Sequence, residues 1–262
     1  MRRWENWERP HDARARRPEG PDHVGHRRPG DASLRLGVED VMTTGRQAVT
    51  TQQDEVYGRL RQWVTVGRFV PGERLKIRQV AAEMGVGVMP VRAALQRLAA
   101  EGAVVNVPHA GVAVPRLTVA EFDDLTQMRM LLEGEAAERG ALRLDAEQRR
   151  QLQTLCERMQ RALEHGRTRD YLSANEDFHG LLYRAAGSPT LFALIDTLWL
   201  KAGPVSNQLF ETPEATDALN AAHEAALKAL ARADSSGVRR AIEQDIFVAA
   251  QFLRPRVRLA QD

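Results

Sequence analysis

The chain has 262 residues, 43% of them hydrophobic, enough to fill the cores of two compact domains or one large one. Against 37 basic residues stand 35 acidic ones, so the formal net charge is only +2 and the total by itself does not argue for nucleic acid; the distribution decides. A single cysteine excludes an internal disulfide and suits a reducing cytoplasm, and a 5% aromatic content leaves no stacking platform for single-stranded nucleic acid. No run approaches the roughly 18 uninterrupted apolar residues of a spanning helix. The opening MRRWENWERPHDARARRPEG has no apolar stretch of the secretory kind.

Residues 1–48 mix Arg, Gly, Pro and His with few aliphatics and have neither a helical nor a strand period, so they are expected to form a disordered leader. Ten basic and eight acidic residues nearly cancel over positions 1–50, which favours a plain leader over a basic arm. An upstream extension, with the working start near Met42, fits the same composition.

Positions 51–118 carry nine basic and five acidic residues, whereas 119–262 carry eighteen and twenty-two. The basic excess therefore sits in the first ordered segment, assigned to 49–117. Val56, Leu60, Trp63 and Val64 fall on one stripe of an amphipathic helix that Thr50 or Thr51 caps and Pro71-Gly72 ends. A second short helix follows in IRQVAAEMG, with Val80, Ala81 and Met84 on one face and Gly85 as its stop. In VGVMPVRAALQRL, Pro90 suits a first helical turn, and Val91, Leu95 and Leu98 form the apolar stripe. Arg92 and Gln96 then lie one turn apart on another face, turned outward. AVVNVPHAGVAVPRL places two β-branched runs around a Pro-His-Ala-Gly turn, a hairpin signal. Helix, helix, turn, helix and hairpin in about 65 residues spell a winged helix-turn-helix, whose reading helix enters the major groove of double-stranded DNA.

GRFVPGERL, VAAEMGV, MPVRAALQRLAAEG and PHAGVAV closely resemble the DNA-binding domain of the GntR family of bacterial transcription regulators. The resemblance implies DNA contacts from Arg78 on the second helix, from Gly87, Val88 and Met89 at the start of the third, from Arg92, and from the wing residues His109 to Gly111. Family members commonly have a Ser-Arg-Thr type sequence where this chain has Gly87, Val88 and Met89. An arginine reads guanine through two hydrogen bonds, whereas Val88 offers apolar contact, for instance to a thymine methyl. The alternative for Arg92 is a solvated helix charge.

Residues 118–262 read as an all-helical antiparallel bundle of five to seven helices with short connections. Thr118 with Glu121 has the form of a capping box, and the last two helices start near Thr216 and Ser235. Asn175 and His179 project from one face at i, i+4; with His223 and Asp245 on later helices they offer four ligands suited to Zn²⁺, Mn²⁺ or Ni²⁺. Ordinary polar positions are the alternative. Tyr183, one turn after His179, is expected to face the same cavity, with Trp199 or Asn207 as further lining, and Cys156 reads as core.

MRMLLEGEAA, NEDFHGLLYRAAGSPTL and HEAALKALARADSSGVRRAIEQDI are similar to the effector-binding domain of the FadR-like branch of GntR regulators, the helical type called FCD. Many such domains hold a divalent metal through Asp-x3-His and two later histidines, and the metal helps bind a small organic acid. The resemblance implies the ligand set Asn175, His179, His223 and Asp245, with the carboxylate moved from the first position to the fourth. It also implies Arg129 as a contact for the effector carboxylate; a surface pair with Glu133 one turn later is the alternative.

The expected protein is a cytoplasmic, non-enzymatic transcription regulator, a repressor by family habit. It binds an inverted-repeat operator as a homodimer and responds to a small organic acid, with no membrane involved. Two alternatives stay open: a metal-dependent enzyme acting on a small carboxylate, and a DNA-binding dimer that senses nothing.

Overall fold

A computed structural model describes residues 51–108, 111–206, 208, 209 and 220–259. The leader expected over 1–48, His109 of the wing and Asn207 fall outside the described residues.

Helix α1 (Gln52–Thr65) begins in a reciprocal cap: Asp54 N donates to Thr51 Oγ1 at 3.2 Å and Thr51 N donates to Asp54 Oδ2 at 3.3 Å. Its buried residues are the four expected, Val56, Leu60, Trp63 and Val64. It ends earlier than Pro71-Gly72, because Gly67 takes φ +65° and turns the chain back. The Arg68 guanidinium then lies over the Trp63 ring at 3.6 Å and pairs with Glu83. Part of the stretch expected as a turn is a strand, β1 (Arg74–Leu75), whose two residues are too few to show alternation.

Next come α2 (Ile77–Met84), closed by Gly85 at φ +66°, and α3 (Val88–Ala100), with Gly87 as its N-cap. The wing strands β2 (Val105–Val107) and β3 (Gly111–Ala113) pair antiparallel, Val105 opposite Ala113 and Val107 opposite Gly111. β1 joins the other side of β3, giving the order β1-β3-β2. Leu60, Val64, Leu95 and Leu98 are essentially solvent-free in the cluster that unites helices and sheet, and each is worth roughly 1.5–3 kcal/mol of transfer free energy.

Six helices among the described residues make the bundle: α4 (Val119–Ala141), α5 (Ala146–Glu164), α6 (Thr168–Arg184), α7 (Pro189–Ser206), α8 (Ala221–Ala231) and α9 (Ser235–Leu259). The Thr118–Glu121 capping box is present, and Asp145 with Gln148 forms another on α5. α4 and α9 run antiparallel, tied by Arg254 Nε donating to Asp123 Oδ1 and Ser236 Oγ donating to Glu138 Oε1, both at 2.8 Å. α4 crosses α6 so closely that a side chain at Gly140 would collide with the Leu182 carbonyl. The fold is a winged helix-turn-helix followed by an antiparallel helical bundle. The two cores meet at α7: Leu200 packs into the winged-helix cluster, and Gly203 abuts the Val64 and Thr65 carbonyls at the end of α1.

Candidate functional site

The α2–α3 corner is built to present donors. Val91, Ala94, Leu95 and Leu98 hold α3 to the core, which turns Arg92 and Gln96 to solvent; Arg78 on α2 is exposed as well. Among the described residues no hydrogen bond or ion pair engages the Arg78 or Arg92 guanidinium. Gly87 caps α3 without a side-chain oxygen, so the first-turn N–H groups stay available to an anion. Val88 and Met89 stand beside them, Met89 71% exposed, an apolar tip on an otherwise polar corner. Gly111 opens β3 at φ +84°, exposed and with open space where a side chain would be. Arg97 behaves differently from its neighbours: it lies over the Tyr57 ring at 3.7 Å and pairs with Asp54 and Glu101, bracing α3 on α1.

The bundle does the opposite and gathers its polar groups inside. His179 on α6, His223 on α8 and Asp245 on α9 each offer a ligand atom within 4.8 Å of the others. His179 Nε2 lies 3.1 Å from His223 Nε2 and 3.4 Å from Asp245 Oδ2. Burial alone would raise the Asp245 carboxyl, but the His223 charge, the hydrogen bond and charge of His179, and Arg129 outweigh it and hold it below the usual carboxylate range. Phe178 sets its edge against both imidazoles, 5.6 Å from His179 and 5.0 Å from His223 between ring centroids. Asn175, one turn before His179, lines the cavity that His179 and Asp245 also line.

Two imidazole nitrogens and a carboxylate oxygen from three helices are a donor set that would suit a divalent ion such as Zn²⁺. A second layer sets the orientation. Tyr183 Oη donates to Glu133 Oε2 at 2.9 Å and lies 2.8 Å from His179 Nδ1. The single phenolic proton goes to the carboxylate, so His179 Nδ1 donates to Tyr183 Oη, and a cation replacing the Nε2 proton would meet the Nε2 lone pair beside His223 and Asp245. Glu133 is held in turn by Arg129, whose Nε donates to Oε1 at 2.6 Å.

The expected roles shift accordingly. Tyr183 is not on the cavity wall; it stands behind His179, fully buried, its hydroxyl pushed well above the ordinary phenol range by burial and by Glu133. The Arg129–Glu133 pair is not a surface pair, since Glu133 has no exposure at all. Arg129 still forms part of the wall of the cavity beside His179, a space of about 70 Å³, several times what one water needs (roughly 10–15 Å³). Glu133 escaped the sequence reading as a buried group, although it shares its face of α4 with Ala136, Ala137 and Gly140. An acid among small, core-type residues was the signal.

Residues 52–114 match the family described as bacterial regulatory proteins, gntR family, and residues 124–246 match the FCD domain. The chain belongs to the GntR family, in its FCD-bearing branch. Similar proteins include the Escherichia coli regulator McbR, 29% identical over 168 residues (64% of this chain, 76% of that one), and the E. coli repressor RspR, 25% identical over 215 residues (81% and 94%). The solved structure of E. coli McbR/YncC superposes with a TM-score of 0.71 at 27% identity, covering 77% of this chain and 98% of that one. This GntR protein is thus a DNA-binding transcription regulator, and its relatives are regulators rather than enzymes.

Proposed function

We propose that this GntR regulator is a cytoplasmic repressor that binds an inverted-repeat operator as a homodimer and changes its DNA affinity when a small organic acid enters the bundle. The winged helix-turn-helix would span 49–117 and the effector domain 118–262. Arg78, Arg92 and the α3 N-terminus would anchor phosphates, with Gln96, Val88, Met89 and the wing at Gly111 reading or flanking the bases. A single winged helix meets one half-site, and two related by a twofold axis multiply their affinities.

Support for the second copy comes from the outer face of α4 and α9. Met128 and Leu131 are 38% and 54% exposed, and the antiparallel register brings Phe247, 45% exposed, level with them. Exposed Gln127, Gln244 and Gln251 lie on the same helices within a turn of this apolar strip, as do the charged Asp124, Glu135 and Glu243.

The observation that carries the effector reading is the cluster of His179, His223 and Asp245 beside a cavity that His179, Asp245 and Arg129 line. A bound divalent ion supplies a positive centre that a carboxylate oxygen can ligate. Asn175, His179, His223 and Asp245 would hold it, Tyr183 and Glu133 would fix the His179 ring, and Arg129 would pair with the acid. Repression is relieved only if the acid binds one arrangement of the DNA-binding domains better than the other.

The test is a gel-shift titration of the full chain on the promoter fragment upstream of its own gene, with metal analysis of the purified protein and a panel of small acids. Expected are binding that weakens as salt rises, about one equivalent of divalent metal per chain, and an acid-dependent change in affinity. Salt-indifferent binding, or metal-free protein blind to every acid, would contradict the proposal.

A further inference from the structure

The wall of the cavity beside His179 changes character along its length. Arg129 on α4 and Asp245 on α9 stand at one end of it, with Asn175 and His179 of α6. Two turns back along α4, about 10 Å away, the wall is Phe122. The antiparallel register carries α9 the same way. Arg254 pairs with Asp123 and Ser236 with Glu138, so Leu253 comes level with Phe122 while Asp245 comes level with Arg129. Leu125 and Ala250 meet the cavity between these levels. One slot thus runs from a charged end to a hydrocarbon end.

The hydroxyls of the wall are turned to other uses. Thr126 Oγ1 donates to the Phe122 carbonyl at 2.8 Å and Ser206 Oγ donates to the Ala202 carbonyl at 3.1 Å, so each proton is engaged within its own helix. The Tyr171 hydroxyl feels the charge of Asp245, at the polar end. No charged side chain among the described residues lines the end at Phe122 and Leu253.

A ligand lying along the slot meets two chemistries. Arg129, with a cation held beside it by His179 and Asp245, satisfies a carboxylate. A polar group at the other end loses its hydration against Phe122, Leu125 and Leu253 and finds no partner in return, most severely if it is charged. A methyl or methylene there gains by leaving water. Volume sets the length: about 70 Å³ is less than half of the roughly 150 Å³ that takes a benzene ring, which leaves room for a few carbons.

We infer that the effector is a short aliphatic monocarboxylate, its carboxylate at Arg129 and its hydrocarbon end against Phe122, Leu125 and Leu253, and that dicarboxylates and sugar acids are refused. The inference rests on the effector reading above and narrows it to one chemical class.

Calorimetry of the full chain supplied with Zn²⁺ tests this with acetate, propanoate and butanoate, and with succinate and trihydroxybutanoate, which match butanoate in carbon number. Affinity is expected to rise about fourfold with each methylene up to butanoate, and the two polar acids to bind about tenfold more weakly than butanoate. Ala250→Val, which narrows the slot near Leu125, should lower butanoate affinity more than acetate affinity. If succinate or trihydroxybutanoate binds as tightly as butanoate, or affinity stays flat from acetate to butanoate, the aliphatic class is overturned while the effector reading stands. If Ala250→Val shifts acetate and butanoate alike, the tail does not lie on this wall and the inference falls. If no acid of any kind binds, the effector reading falls and this inference with it.

Discussion

Arg92 and Arg129 are one residue type put to opposite uses in the two halves of the chain. Arg92 stands in solvent on a helix whose other face is held by Val91, Leu95 and Leu98. Arg129 is bound to Glu133, a carboxylate with no exposure, which holds Tyr183, which holds His179. The winged helix keeps an apolar interior and wears its polar function outside; the bundle builds its polar function into the core. In the first, function and stability reside in different side chains and separate cleanly. In the second they reside in the same ones, so a change there is felt by both.

The largest expected effect tests that division. Glu133→Ala leaves the Arg129 guanidinium without its anion and the Tyr183 hydroxyl without its acceptor, and should cost roughly 3–5 kcal/mol in chemical unfolding. Glu133→Gln keeps the shape and loses the charge, and should fall between Ala and wild type. A Glu133→Ala protein as stable as wild type would mean that the buried network is not what holds α4 to α6.

Arg78→Ala and Arg92→Ala should each lower operator affinity ten- to a hundredfold, about 1–3 kcal/mol, and flatten the salt dependence by about one unit of slope. Their unfolding should stay within about 0.5 kcal/mol of wild type, since both residues are exposed. Filter binding at several salt concentrations, beside unfolding curves, gives both numbers. A loss of stability matching the loss of affinity would break the contrast with Glu133.

Tyr183→Phe sharpens it from the other side. The ring still packs, but His179 Nδ1 loses its partner and the tautomer is no longer fixed. Zinc affinity measured against a chelating indicator should fall about tenfold, with DNA affinity of the metal-free protein unaltered.

The same contrast accounts for what could be read from the residues alone. In the winged helix each element obeys one period, so the stripe of α3 and its outward Arg92 and Gln96 follow from spacing. What escaped there was local. β1 has two residues, and α1 ends at Thr65 because Gly67 reverses the chain before Pro71 is reached. In the bundle, the sequence pointed to His179, His223 and Asp245, which the fold gathers into one cluster, but not to the groups behind them. Glu133 and Arg129 at i, i+4 look like a surface pair, and only the packing of α6 over Gly140 and its neighbours reveals that Glu133 is sealed in.

The smallest expected effect reports on the bundle without disturbing it. Cys156, the one cysteine of the chain, is buried on α5 with its Sγ 3.8 Å from Asn220 Oδ1, and burial pushes its thiol up to about 11. Since the thiolate is the reactive form, alkylation of the native protein at pH 8 should be slow and limited by opening of the core. The winged helix contains no thiol, so the signal comes from the bundle alone. Removing a divalent ion from His179, His223 and Asp245 leaves their charges and lone pairs uncompensated in the interior, and the alkylation rate should rise a few-fold on chelation. Arg92→Ala should leave it untouched. A rate that responds to Arg92→Ala but not to chelation would mean that the reading face, rather than the buried cluster, governs how tightly the bundle is closed.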